Sequence, residues 1–292
     1  MASTAVEAWR ARGRTIAARD GDVWMLDAAG GAPGATPVLA LHGFPSSAHD
    51  FSGVLDAVTA RRRLVTFDFV GFGLSCKPRD HGYSLFEQAD VALEVARAAG
   101  LESVHVWAHD MGTSVATELL ARRERGLLPL QVASLTLMNG SIHVEMAHLT
   151  LGQRLLRTPL GPMFARLNTR ATFVRQLRRT FGRPPTDETL EAMWELASRD
   201  GGLALSAKTI GYVEERTRYA RRWIGALERL DVPALIAWGR RDPVAILAIA
   251  ERLAGEIPGA RFETWDDLGH WPQIEAPARV VATVGAFWDG VE

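Results

Sequence analysis

The sequence is poor in cysteine and tyrosine and carries almost no net charge. Of its 292 residues one is cysteine and three are tyrosine, and the formal net charge at pH 7 is −1. The single thiol, Cys76, can form no internal disulfide, which favours a reducing compartment. A charge this close to zero gives no electrostatic reason to expect a nucleic-acid partner. We therefore expect a small molecule as the partner and no nucleic acid.

Long apolar runs are also missing. No stretch reaches about 18 uninterrupted apolar residues, the length that a transmembrane helix requires. The first twenty residues carry charges throughout and lack the apolar core of a signal peptide. With 47% hydrophobic residues, the composition is that of an ordinary globular protein. These features predict a cytoplasmic monomer or homodimer with no membrane partner.

Hydrophobic periodicity predicts strands that alternate with helices. Two short strands are expected around the turn at Asp20 and Gly21, and Ser84 and Gly100 are placed to begin and end a helix. The other predicted strands are 37–41, 63–69, 104–110, 132–140, 232–239 and 260–266, and the clearest predicted helices are 84–100, 245–255 and 275–288. Such alternation implies a mostly parallel sheet covered by helices on both faces.

The pattern changes to helical periods alone between residues 141 and 223. A helical insertion at this point would lie as a lid over the carboxyl ends of the strands, where such sheets bind ligands. We therefore expect a core formed by residues 1–140 and 224–292, with the lid at 141–223. Residues 150–225 contain 13 Arg and one Lys against seven acids. We interpret this excess as a solvated face, with an anion site as the alternative.

The segment AHDMGTS (108–114) joins an apolar strand to a helical stretch. A small residue, a polar residue at the apex and another small residue are typical of the G-x-S-x-G turn that presents a nucleophilic serine. Here the small positions are Ala108 and Gly112, and the apex is Asp110. A carboxylate is ionised at pH 7 and needs no base to activate it. It can displace a leaving group at an sp³ carbon, such as an epoxide oxygen or a halide, and form an alkyl ester.

Further motifs follow in a fixed order. HGFP (42–45) and the apex motif precede GRRDP (239–243) and GH (269–270). Asp110, Asp242 and His270 each follow a predicted strand, so they belong to loops at one edge of the sheet. Nucleophile, acid and histidine in this chain order match the triad of α/β-hydrolases.

Three segments, DFVGFGLSCKPRDHGYSLFEQAD (68–90), AHDMGT and RRWIGAL (221–227), carry a resemblance that spans roughly residues 35–285. The chain resembles the epoxide hydrolase and haloalkane dehalogenase branch of the α/β-hydrolase superfamily, and within it the group of the mesoderm-specific transcript protein. The resemblance implies an α/β-hydrolase fold, no cofactor and no metal.

The resemblance also assigns roles in a two-step reaction. Asp110 would be the nucleophile, His270 the base that activates water against its ester, and Asp242 the acid that orients His270. The backbone N–H groups of Phe44 and Met111 would form the oxyanion hole.

Two departures from the branch concern the substrate. Dehalogenases usually carry Trp after the nucleophile to bind the halide, where this chain has Met111. Epoxide hydrolases usually carry two lid tyrosines, and Tyr212 stands near the position of the second. Epoxides are therefore favoured, with haloalkane or haloacid dehalogenation, ester hydrolysis and a non-catalytic ligand-binding protein as alternatives.

Asn139 stands where some dehalogenases carry the acid. Because an amide cannot be that acid, the assignment of Asp242 is strengthened.

Other polar residues near these motifs are expected to be structural. His42 and His109 would support their loops, and Asp68 would end its strand. His143 and Glu145 open the predicted lid and could face the pocket or form a hinge.

Overall fold

A computed structural model describes residues 4–291 and contains, in that range, an eight-stranded sheet. The strands are β1 (Arg14–Ala18), β2 (Gly21–Gly31), β3 (Val38–Leu41), β4 (Arg62–Phe67), β5 (Ser103–His109), β6 (Gln131–Met138), β7 (Ala234–Gly239) and β8 (Arg261–Trp265). Their order in the sheet is β1-β2-β4-β3-β5-β6-β7-β8. The β1–β2 and β2–β4 pairs are antiparallel and all the others are parallel. The predicted α/β fold with a mostly parallel sheet is confirmed.

The helices lie before, between and after these strands in the sequence. They are α1 (Thr4–Arg12), α2 (Leu55–Thr59), α3 (Leu85–Ala98), α4 (Met111–Glu124), α5 (Leu151–Leu156), α6 (Gly161–Leu167), α7 (Arg170–Arg178), α8 (Asp187–Ser198), α9 (Ser206–Thr209), α10 (Tyr212–Arg218), α11 (Ala220–Glu228), α12 (Leu247–Glu256), α13 (Pro272–Glu275) and α14 (Pro277–Asp289). Ser84 caps α3 as predicted: its side chain accepts a hydrogen bond from the N–H of Glu87, which reaches back in turn to the Ser84 N–H. Within residues 4–291 no helix has both the length and the apolarity to cross a bilayer.

Both faces of the sheet are buried. Because side chains alternate across a strand, Leu39 and Leu41 of β3 enter one apolar cluster, while Val38 and Ala40 enter the other. The first cluster includes side chains from α3, α4 and α12, and the second includes side chains from α1, α2 and α14. Burial on both faces explains why the predicted strands are continuous apolar runs rather than alternating ones.

Two elements differ from the sequence expectations. The helix α1 was not predicted, and it is stabilised by tertiary contact: the Trp9 ring lies 5.4 Å from the Trp24 ring and is 3% exposed. In the proposed lid, α5 to α11 lie between β6 and β7 with no strand among these described residues. The helix α11 continues to Glu228, five residues past the boundary predicted at 223 (228 − 223). The division into core and lid stays a prediction.

Candidate functional site

The turn between β5 and α4 is the tightest point of the site. Asp110 lies between the two elements with φ 46° and ψ −112°, a conformation that non-glycine residues rarely adopt. A Cβ on Gly112 would lie 2.4 Å from the Leu41 carbonyl oxygen, and one on Gly43 would lie 2.5 Å from the Cβ of Asp110. Glycine is therefore required at Gly112 and Gly43, because the turn packs directly against the end of β3 and the loop that follows it. This packing brings the HGFP segment to the Asp110 side chain.

The structure brings the predicted triad residues together. Asp110 Oδ2 accepts a hydrogen bond from the backbone N–H of Phe44 at 2.7 Å, and Oδ1 lies 4.0 Å from His270 Nε2. On its other side the His270 ring donates from Nδ1 to Asp242 Oδ2 at 2.6 Å. Asp110, Asp242 and His270 are each 4% exposed. Met111 is the first residue of α4, so its N–H is one of those that find no partner within the helix.

Asn139 supports the carboxylate that orients the histidine. Its side-chain N–H donates to Asp242 Oδ2 at 2.8 Å, and its Oδ1 accepts from the N–H of Gly239 at 3.0 Å. The other oxygen of Asp242 accepts from the N–H groups of Val244 and Ala245 at 2.8 and 3.0 Å. Sequence analysis excluded Asn139 as the acid but missed this contact. Its place directly after β6 was the available signal.

The charges around His270 favour its protonated form. Burial lowers the pKa of His270, but the charge and hydrogen bond of Asp242, together with the charge of Asp110, outweigh burial and raise it to about 9. Near neutral pH the free site therefore holds an imidazolium between two carboxylates. Neutralising Asp110 would remove one of the contributions that raise this pKa.

The neighbouring histidines are structural, as expected. His42 accepts a hydrogen bond at Nε2 from the N–H of Phe69 at 3.0 Å, and burial lowers its pKa to about 3. His109 Nε2 donates to the carbonyl oxygen of His270 at 2.7 Å, which turns its ring away from the Asp110 carboxylate. Asp68 accepts from two backbone N–H groups, those of Ala48 and Leu74.

A cavity of about 230 Å³ leads to the site. Its wall includes Phe44 and His270, both of which contact or approach Asp110. The remaining lining is mainly apolar with neutral amides and hydroxyls, among them Leu155, Phe164, Leu177, Trp271, Gln153, Asn168, Gln176 and Thr172. Within residues 4–291, no Arg, Lys, Asp or Glu side chain lines this cavity.

Tyr212 lies just behind the cavity wall. It is 2% exposed, and its ring is 5.6 Å from the Phe44 ring. Phe44 and Gln153 line the cavity, whereas Tyr212 does not. Burial and the charge of Asp110 raise the pKa of Tyr212, so the phenol stays protonated through the neutral range. Direct contact between Tyr212 and a substrate stays a prediction.

His143 and Glu145 do not face this cavity. The buried His143 ring contacts Glu256 at 2.6 Å and Glu145 at 3.2 Å, and Arg252 contacts both carboxylates. The cluster joins the start of the proposed lid to α12, which fits the hinge interpretation better than the pocket one.

The sequence and the fold are similar to those of known proteins. The chain matches the α/β hydrolase fold family over residues 36–277. It is 42% identical to "Putative hydrolase LipZ" of Mycobacterium tuberculosis over 95% of this chain and 96% of that protein. It is 33% identical to the mesoderm-specific transcript protein of Mus musculus, over 94% and 85% of the two chains. The fold is also similar to the crystal structure of the haloalkane dehalogenase DbeA from Bradyrhizobium elkani, with a TM-score of 0.80, 22% identity and coverage of 96% and 98%. The chain belongs to the α/β-hydrolase family and is a hydrolase of that fold.

Proposed function

We propose that the protein is an epoxide hydrolase, which converts an epoxide and water to a vicinal diol through an ester on Asp110. The observation that carries the proposal is the position of this carboxylate. One oxygen accepts the Phe44 N–H, while the other lies 4.0 Å from a histidine that is itself paired with Asp242. An ionised oxygen held in this way is a ready nucleophile for an sp³ carbon.

In the first step, Asp110 Oδ1 attacks an epoxide carbon. The carbon–oxygen bond of the ring breaks, and its electron pair leaves with the oxygen, which must take a proton. Tyr212 is the proposed donor, because its ring packs 5.6 Å from that of Phe44, whose N–H is bonded to Asp110, and its hydroxyl is protonated. The products of this step are a neutral alkyl ester of Asp110 and a Tyr212 phenolate. Because loss of the Asp110 charge lowers the pKa of His270, the imidazolium gives up its proton, which restores the Tyr212 phenol through solvent.

In the second step, water attacks the Cγ of Asp110. His270 takes the proton from the water, and the negative charge develops on Oδ2, which the Phe44 N–H already faces. The N–H of Met111 is the proposed second donor, and one such donor typically contributes about 3 kcal/mol. Collapse of the intermediate expels the product alkoxide, which takes the proton of the newly formed Asp110 carboxyl group. The diol leaves, and the site again holds the Asp110 carboxylate and the His270 imidazolium.

The pKa of His270 suits this order of events. In the free enzyme the charge of Asp110 helps to raise it to about 9. Once Asp110 is esterified, that charge is gone and the pKa falls. The histidine therefore becomes a better base when the water must be activated.

The cavity favours a neutral, largely apolar substrate. No Arg or Lys among residues 4–291 lines it to bind a carboxylate, and the protonated His270 is already paired with Asp110 and Asp242, which argues against a haloacid. The lid arginines instead pair with acids such as Glu214, Glu191 and Asp267. Met111 offers no side-chain N–H to a halide, whereas a phenol is available at Tyr212, so we favour epoxides over haloalkanes.

The test traps the ester. His270→Gln should still allow alkylation of Asp110 but stop hydrolysis, so intact-protein mass spectrometry should show one adduct on the peptide containing AHDMGTS. An epoxide adds its whole mass, whereas a haloalkane adds its mass less the hydrogen halide, so the adduct also identifies the chemistry. The double variant Asp110→Asn/His270→Gln is the control and should remain unmodified. An adduct on another residue would contradict the mechanism, as would the lack of an adduct with a substrate that the parent enzyme turns over.

A further inference from the structure

Arg216 is a buried cation in contact with the turn that carries Asp110. It lies on α10 and is 1% exposed. Its Nε donates to Ser114 Oγ at 2.7 Å, and one Nη donates to the backbone oxygen of Asp110 at 3.2 Å. Its Cζ lies 4.6 Å from the centroid of the Tyr212 ring. Among residues 4–291 these contacts include no carboxylate ion pair.

A guanidinium in this environment needs a counter-charge. Arginine stays protonated in proteins, and removing a cation from water is costly unless a negative charge compensates it. Burial lowers the pKa of Arg216, while Tyr212 and the charge of Asp110 act in the opposite direction. Asp110 is the carboxylate whose charge acts on Arg216, and its backbone oxygen is one of the groups that Arg216 contacts.

We propose that Arg216 is a positioning residue that balances the charge of Asp110 and thereby favours hydrolysis of the alkyl-enzyme over its accumulation. This inference rests on the proposed ester mechanism. Formation of the ester neutralises Asp110 and, once Tyr212 has regained its proton, leaves the buried guanidinium without its counter-charge. Attack of water on Cγ restores a negative charge on Oδ2 of the same side chain. Arg216 therefore stabilises the hydrolytic transition state relative to the ester, and such a difference accelerates that step.

The other ionisable groups around Asp110 do not replace Arg216. The groups in electrostatic interaction with Asp110 are His42, Asp50, His109, Tyr212, Arg216 and His270. Burial keeps His42 and His109 neutral near pH 7, since it lowers their pKa values to about 3 and 4. His270 must be neutral to act as the base. It becomes a cation as it takes the proton from water, so among these groups Arg216 is the one that is positive from the start of hydrolysis to its end.

Single-turnover measurements with styrene oxide test the inference. Arg216→Gln removes the charge and keeps hydrogen-bonding capacity, while the matched control Arg216→Lys keeps the charge. In the Gln variant we expect ester hydrolysis to slow by at least about tenfold, with alkylation no slower than in the parent. The Lys variant should retain most of the hydrolysis rate. Parental hydrolysis in the Gln variant, or equal loss in both variants, would overturn the proposal.

A second measurement does not depend on turnover. The pKa of Asp110 can be followed by NMR of protein labelled with ¹³C at the aspartate carboxyl carbons, with its signal assigned through Asp110→Asn. It should rise by about one unit or more in Arg216→Gln and change less in Arg216→Lys. Arg216→Met replaces the Gln variant if that one does not fold. If alkylation of Asp110 is absent but this pKa rises, the ester mechanism fails while the charge pairing stands. If alkylation occurs and the pKa is unchanged, the role of Arg216 fails alone.

Discussion

At the scale of single residues, the proposed preference for epoxides over carbon–halogen compounds depends on Tyr212. Opening an epoxide places developing negative charge on an oxygen that stays in the product and needs a proton. A departing halide is a weak base and needs only polarisation. A protonated phenol behind Phe44 and Gln153 therefore serves the first reaction far more than the second.

Tyr212→Phe should slow alkylation by an epoxide about a hundredfold or more, as loss of a general acid does. The ring and its contacts with Phe44 and Arg216 remain, so the free energy of unfolding should change by no more than about 1 kcal/mol. Rapid quench of adduct formation in the His270→Gln background reports this step directly. An unchanged alkylation rate would remove the main support for epoxides over haloalkanes.

At the scale of elements, one buried carboxylate joins α4 to α11. The side chain of Glu118 is 1% exposed and accepts four hydrogen bonds, from Arg122 Nε, from Arg222 Nε and Nη2, and from the Trp223 indole N–H, at 2.7 to 2.9 Å. The helix that carries the Asp110 turn is thereby fixed to the last helix before β7. Two arginines bonded to one buried carboxylate are stabilising only while the carboxylate keeps its negative charge.

Glu118→Gln should lower the free energy of unfolding by roughly 3 kcal/mol, because it leaves Arg122 and Arg222 without their shared charge. The matched control is Glu124→Gln. Glu124 lies six residues after Glu118 on the same helix and forms an exposed pair with Arg229, which this change breaks. Exposed pairs contribute little, so this control should unfold at the parental urea concentration. Equal unfolding midpoints for the two variants would show that Glu118 does not join the helices energetically.

At the scale of the whole molecule, buried titratable groups determine how stability depends on pH. Burial lowers the pKa values of His42, His49 and His109 from 6.5 to about 3, 4 and 4. As pH falls through 6.5, the unfolded chain therefore takes up as many as three protons at these histidines. The folded state does not bind these protons until the pH is much lower. Burial raises the pKa values of Asp50, Asp68 and Glu215, so the folded state can gain up to three protons there. The lowered pKa values of Glu118 and Glu124 act in the opposite direction, so with the three histidines the unfolded state still binds the larger number.

We therefore expect the free energy of unfolding to fall by at least about 1 kcal/mol per pH unit between pH 6 and 4.5. His270 does not contribute in this window, because its raised pKa leaves it protonated in both states below 6.5. Urea unfolding at several pH values gives the slope. His49→Gln removes one of the three protons and should flatten the slope by about 1.4 kcal/mol per unit. A parent protein that is equally stable at pH 6 and pH 4.5 would contradict this account.

The positions of the strands and of the triad residues follow from local sequence. Apolar runs bounded by glycine and polar residues predict central strands such as β3 and β7, because strands buried on both faces need apolar side chains at every position. The strand β8 is exposed over its first three residues and was predicted from a less apolar segment. The turn at Asp110 is recognisable in the sequence because its close packing leaves room only for small residues at neighbouring positions such as Gly112. The order of Asp110, Asp242 and His270 then follows from where parallel strands end.

Long-range contacts decided what the sequence left open. Short helices such as α1 are marginal alone, so its presence depends on the packing of Trp9 against Trp24. The contact of Asn139 with Asp242 joins residues 103 positions apart (242 − 139), and Arg216 reaches Asp110 across 106. No periodicity or motif encodes such pairings, because burial and partner charge exist only once the chain is packed. The sequence by itself determined the sheet and the edge at which Asp110, Asp242 and His270 meet, and the tertiary structure decided which charged groups come together there.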